Sequence, residues 1–163
     1  MNLEEIKNIT AIVVAVIGLP GALKWVYEYT RKASQERFSL FMKLNKLFSE
    51  DADIIQVTQM LDQIAPADSI TQSQKYKFLR FYEILAIAVN SKLINPDVAW
   101  YKFSYHAIRC DNSEEFWEGL NKDSAYWSLF VSFASEMSKI EEKNLANGVG
   151  NSSEINSIGK LVI

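Results

Sequence analysis

The sequence predicts an all-α protein: one N-terminal transmembrane helix, a cytosolic bundle of about five helices, and a flexible C-terminal tail. Three observations predict it. No residue from 8 to 23 is charged. Apolar residues then recur at helical spacing in several separate segments. Helix-start residues stand at the head of those segments, and the connections between them are short, as in a bundle.

The apolar core of the first segment runs over 9–23, which is below the roughly 20 residues a span usually needs. Snorkelling of Lys24 lengthens it, and Trp25, Tyr27 and Tyr29 follow as an interfacial belt. A helix of spanning length then covers 6–29. A cleavable signal peptide fits less well, because the basic residues follow the apolar run and no A-x-A site closes it. Burial in a soluble core is the other alternative for a Val/Ile-rich run. Before the span the only basic residue is Lys7; after it come Lys24, Arg31, Lys32, Arg37, Lys43 and Lys46. The positive-inside rule therefore places the N-terminus in the periplasm and the C-terminal side in the cytoplasm of a bacterial inner membrane. Within the span Ala11, Ala15, Gly18 and Ala22 share one helical face that suits close packing and a homo-oligomer. Pro20 predicts a mild kink.

The domains expected are 1–32 as the anchor with its flanks, 33–145 as the helical bundle and 146–163 as the flexible tail. Ser34 opens a helix to about 48, which continues directly from the span because no Gly or Pro intervenes after Gly21. Asp51 or Asp53 caps a second helix, which Ala65-Pro66 stops. Thr71 caps a third. Asn95-Pro96 pairs a cap with proline at the first helical position and opens a fourth, to about Cys110. Asn112 or Ser113 opens a short acidic helix, and Asp123 or Ser124 the last one. From 144 onward the chain is rich in Gly, Asn and Ser, but it ends in the apolar IGKLVI.

Composition narrows the function classes. The chain has 163 residues, 48% of them apolar, enough for a packed core. A net charge of −3 argues against a general nucleic-acid binder. Cys110 is the single cysteine, so no internal disulfide can form. The lone histidine, His106, stands with Arg109 and Cys110 in HAIRC, where no third group orients a Cys–His dyad. No two zinc-type ligands lie at metal spacing, no Gly-rich phosphate loop occurs, and neither metal nor cofactor is expected. The chain is not expected to be an enzyme.

Charge is segregated. Six basic residues lie between 69 and 110 against Glu83 and Asp97, while 111–123 holds five acids and one lysine. Tyr76, Phe78, Phe81 and Tyr82 interleave with Lys75, Lys77 and Arg80. Lys75, Tyr76, Lys77 and Arg80 are therefore the candidate contact for a nucleotide or oligonucleotide ligand. Aromatics facing the core and lysines facing water would produce the same spacing.

The block KFLRFYEILAIAVNSKLINPDVAWYKFSYHAI resembles a widespread bacterial family of unknown function with one N-terminal anchor and a helical cytosolic domain. Tyr82, Glu83, Ile84, Ala86, Ala88, Val89 and Pro96 carry the likeness. The layout is also similar to small anchored effectors of bacterial antiphage systems, which implies oligomerisation and disturbance of the inner membrane. The function expected is an oligomeric single-pass effector whose cytosolic bundle gates membrane disruption, with lipid, its own copies and a partner from the same operon as partners. The alternative is a passive anchored scaffold that recruits a partner protein. A reporter enzyme fused after Ile163 should be active only in the cytoplasm; periplasmic activity would reverse the orientation drawn from the flanking charges.

Overall fold

The computed structural model describes the backbone of residues 3–146 and the side chains of residues 24–146. The described residues form six α-helices and two 3-10 turns, with no strand among them. The chain divides into two compact units between Arg37 and Phe38. The first helix, α1 (Leu3–Glu50), runs through that division. The face Ala11, Ala15, Gly18, Ala22 and the kink expected at Pro20 lie outside the described side chains. Among the described residues no helix is long and apolar enough to cross a membrane. The side chains of the apolar run 9–23 lie outside the described ones.

In the second unit α1 contributes a stripe of Leu40, Phe41, Leu44 and Phe48, of which only Leu44 is fully buried. A single residue, Asp51, separates α1 from α2 (Ala52–Leu61). Its carboxylate accepts from the amides of Asp53 and Ile54, at 3.1 and 3.3 Å, and so caps the new helix. Helix α2 ends at Leu61, earlier than the proline at 66 would require. Gln63 takes the left-handed region, φ 60°, and the amides of Ile64 and Ala65 turn back to the Gln59 carbonyl. The chain thus closes the helix with its own backbone before proline is reached.

A 3-10 turn, Ala67–Ser69, leads to α3 (Gln72–Asn90). Thr71 and Gln74 form a reciprocal capping box at its start. Helix α3 is the centre of the bundle, with nine buried residues. Helix α4 (Pro96–Asn112) begins as expected at Asn95, whose side chain accepts from the Asp97 amide at 2.8 Å. Ser113 caps the short α5 (Glu114–Trp117). Ser124 caps a 3-10 turn, Ala125–Trp127, and α6 (Ser128–Ala146) starts only after it. The last helix therefore begins a turn later than the Asp123/Ser124 cap suggests. Helix α6 packs chiefly on α4 and then on α3.

The core is aromatic. Tyr82 is fully buried, and its hydroxyl donates to the Phe103 carbonyl at 3.0 Å. Its ring lies 5.0–6.2 Å from those of Phe78, Phe81, Phe48, Phe130 and Phe133. Burial raises its hydroxyl pKa well above the ordinary tyrosine value, so it stays a neutral donor. Tyr82→Phe should cost about 1 kcal/mol by removing one buried donor. Tyr82→Ala should cost about 3–5 kcal/mol by opening a cavity among the rings. Urea unfolding followed by tryptophan fluorescence measures both, and equal losses would mean that packing around the ring contributes little.

Candidate functional site

The sequence picks out Lys75, Tyr76, Lys77 and Arg80 as a ligand contact, and the structure sends these side chains to different places. At about 100° per residue, Lys75 and Lys77 lie roughly 200° apart on α3. Lys75 points inward and is only 8% exposed. Its ammonium donates to the carbonyls of Glu118 and Glu115, at 3.0 and 3.4 Å, and stands 5.7 Å from the Phe116 ring centroid. It thus places a cation on the carbonyl end of α5, where the helix leaves acceptors unpaired.

Lys77 turns toward the joint between α1 and α2. Its ammonium lies 2.7 Å from Asp51 and 2.8 Å from Asp53. Gln74 adds a hydrogen bond to Asp53 at 3.1 Å and another to Gln56. One network therefore joins the caps of α2 and α3. Tyr76 stacks on Trp127, centroids 5.6 Å apart, and its hydroxyl accepts from Gln72 at 3.1 Å. Arg80 stays exposed, near Glu83, whose carboxyl is raised by burial and lowered again in part by that guanidinium.

The HAIRC residues also diverge. The Nε2 of His106 meets Asp62 at 3.1 Å, and its ring lies against Phe48 at 5.8 Å and Tyr105 at 4.8 Å. Arg109 donates from Nε to the Leu61 carbonyl at 2.9 Å, again from Nη2, and from Nη1 to the Tyr105 hydroxyl at 2.7 Å. It holds the carbonyl end of α2 as Lys75 holds that of α5. Cys110 is fully buried, and burial, with Asp111 adding to it, pushes its thiol well above the ordinary cysteine value. A thiol held neutral in a core is a poor nucleophile. Its backbone carbonyl accepts from the Trp117 indole at 3.0 Å. Lys122 closes the same helix end, donating to the Asp111 carbonyl at 2.5 Å with its carboxylate at 2.7 Å.

A groove of about 440 Å³ lies between the end of α2 and the α4–α5 joint, lined by Met60, Leu61, Gln63, Ile108, Arg109, Asn112 and Glu114 among others. Its lining mixes Arg109 with Glu114 and Glu115, so it offers no single sign of charge to a phosphate. Among the described residues no group of His, Cys, Asp or Glu could hold a metal ion. The partner of His106, Asp62, was not legible beforehand, because nothing in a sequence joins positions so far apart. The capping role of Asp51 was legible; its ion pair with Lys77 was not.

Among the large apolar side chains that remain exposed, two pairs stand on α3 and α4. Ile84 and Ile87 lie one turn apart on α3, and Tyr101 and Tyr105 one turn apart on α4. Set beside known families, curated proteins and solved structures, the chain matches none.

Hydrogen bonding to Lys77 holds the carboxyls of Asp51 and Asp53 below the usual carboxylate range. A depressed carboxyl stabilises the fold fully above its unfolded value of about 3.9, and that stabilisation fades as pH falls through the lower folded value. Carbon-detected titration of the two carboxyls should give midpoints below the usual range, and Lys77→Gln should move both upward. Unchanged midpoints in the variant would remove Lys77 as the cause.

Proposed function

We propose that the chain is a non-enzymatic, single-pass membrane effector. In this proposal the run 9–23 lies in the bilayer, copies associate through Ala11, Ala15, Gly18 and Ala22, and the helical bundle holds the assembly in check. Antiphage defence is the setting that the layout favours. The observation that carries it is the extent of α1. One helix, Leu3–Glu50, contains both the uncharged apolar run and the residues Phe41, Leu44 and Phe48 that pack in the bundle. In this proposal a change of state in the bundle biases the membrane segment through α1. The span is near the lower length limit, which favours clustering or local thinning of the bilayer.

Regulation by a nucleotide or oligonucleotide at the basic segment has less support, because Lys75 and Lys77 are engaged with carbonyls and carboxylates of the bundle itself. Arg80 and the Tyr76–Trp127 stack are what remains for such a ligand. The anchored scaffold is the second proposal. The exposed pairs Ile84/Ile87 and Tyr101/Tyr105 favour it, since paired apolar groups on a helix suit a partner protein.

Cells that express the protein with its neighbouring genes, read with a potential-sensitive dye before and after phage challenge, distinguish the two. Depolarisation on challenge is expected with the full chain and not with a chain lacking residues 1–32. If depolarisation never occurs, or occurs equally with the shortened chain, the effector gives way to the scaffold.

A further inference from the structure

The segment that follows the apolar run carries a surface of its own. Trp25, Tyr27 and Tyr29 are 67%, 65% and 65% exposed, and Val26 is exposed beside them. Trp25 and Tyr29 stack on each other at 5.7 Å, yet that contact leaves both rings open. Lys24 is paired with Glu28 at 3.8 Å. Among the described residues Arg31, Lys32 and Arg37 make no ion pair. From Lys24 to Lys46 there are six basic and two acidic residues, a charge of +4 in a chain whose total is −3.

We infer that 24–32 is a collar for one layer of anionic lipid headgroups, a step that rests on the anchored form proposed above. The arrangement around the helix selects this occupant. Trp25 and Tyr27 are roughly 200° apart, and so are Tyr27 and Tyr29, at about 100° per residue. Arg31, Lys32 and Arg37 are spread likewise. A protein partner covers one stripe of a helix, on the order of 100° wide. Groups spread around the whole circumference call instead for a medium that surrounds it, and a bilayer interface does so.

Axial spacing agrees. Trp25 to Tyr29 spans about 6 Å at roughly 1.5 Å per residue. Each headgroup layer is roughly 5–8 Å deep, taking about 30 Å of hydrocarbon within a bilayer of about 40–45 Å. Arg31 and Lys32 follow about 3–5 Å further along the axis, inside the Debye length of about 8 Å over which anionic lipids are felt. The aromatic rings therefore fill the headgroup depth, and the guanidinium and ammonium groups meet the phosphate and carboxylate charges at its outer edge.

The test uses the full chain reconstituted in vesicles of phosphatidylcholine and phosphatidylserine. Replacing Trp100, Trp117 and Trp127 with Phe leaves Trp25 as the only tryptophan. Lipids brominated near the headgroup should quench Trp25 more than lipids brominated at the chain ends. Quenching by brominated phosphatidylserine should exceed that by brominated phosphatidylcholine roughly fivefold, the factor that one basic residue near an anionic surface contributes. Arg31→Gln with Lys32→Gln should bring that ratio toward one. If the triple variant loses helicity, a nitroxide at Tyr27→Cys reports the same depth, because Cys110 is fully buried. Vesicle flotation with Trp25 open to aqueous iodide would overturn the collar and leave the anchor standing. Shielding from both iodide and lipid bromine would mean that a second copy covers the rings, which also overturns it. An unchanged ratio in the Gln variant would remove the anionic preference. A chain that does not float with vesicles overturns the anchored form itself.

Discussion

The bundle depends on what surrounds one buried phenol. Tyr82 must hide a large ring and a hydroxyl at once, and a hydroxyl sealed from water needs an acceptor. The Phe103 carbonyl supplies it across the α3–α4 interface. That bond joins α3 to α4, and the other rings pack around it. Phe48 from α1 reaches Phe81 at 5.2 Å and Phe103 at 5.5 Å. Phe130 and Phe133 approach Tyr82 from α6. The geometries are mostly edge-on or tilted, the arrangements that ring quadrupoles favour over a face-to-face sandwich. Four helices are thereby brought together by one residue that is fully committed to structure.

A bundle of short helices has many ends for its size, and each end leaves backbone groups unpaired. Amino ends are served locally here, by Asp51, Thr71, Asn95 and Ser113. Carbonyl ends are served in part by the chain's own backbone, which turns back through a left-handed Gln63 after α2 and Lys92 after α3, and in part from elsewhere in the bundle. Lys75 closes α5, Arg109 closes α2, and Lys122 with Trp117 closes α4. A cation at a carbonyl terminus also meets the negative end of the helix dipole. Much of the positive charge in the bundle is therefore used within it, and a count of lysines and arginines overstates what remains for a ligand. The same economy does not extend to Arg31, Lys32 and Arg37, which follow the apolar run and make no ion pair among the described residues.

The helical class, the caps at Thr71 and Asn95-Pro96, and most of the apolar faces were legible in the chain, although Phe38, Leu47 and Ile64 share the apolar spacing and stay exposed. They are local properties: a cap acts over three residues and a helical face repeats within seven. The early end of α2 was not legible, because a left-handed Gln63 is not announced by residue type as a glycine would be. Nor was the late start of α6, where a 3-10 turn takes the Ser124 cap ahead of the helix.

Side-chain direction divides what each level decides. By itself the sequence determined that Lys75, Tyr76, Lys77 and Arg80 share one helix, that His106 and Cys110 share another, and that positive charge gathers after an uncharged run. Only the tertiary structure decided that Lys75 enters the core while Lys77 grips Asp51 and Asp53, and that His106 turns to Asp62 while Cys110 is sealed inside. The physical reason is that spacing along a helix fixes the angle between two side chains, but not which neighbour occupies each direction. That neighbour comes from a helix distant in sequence, and it is placed only when the aromatic core closes.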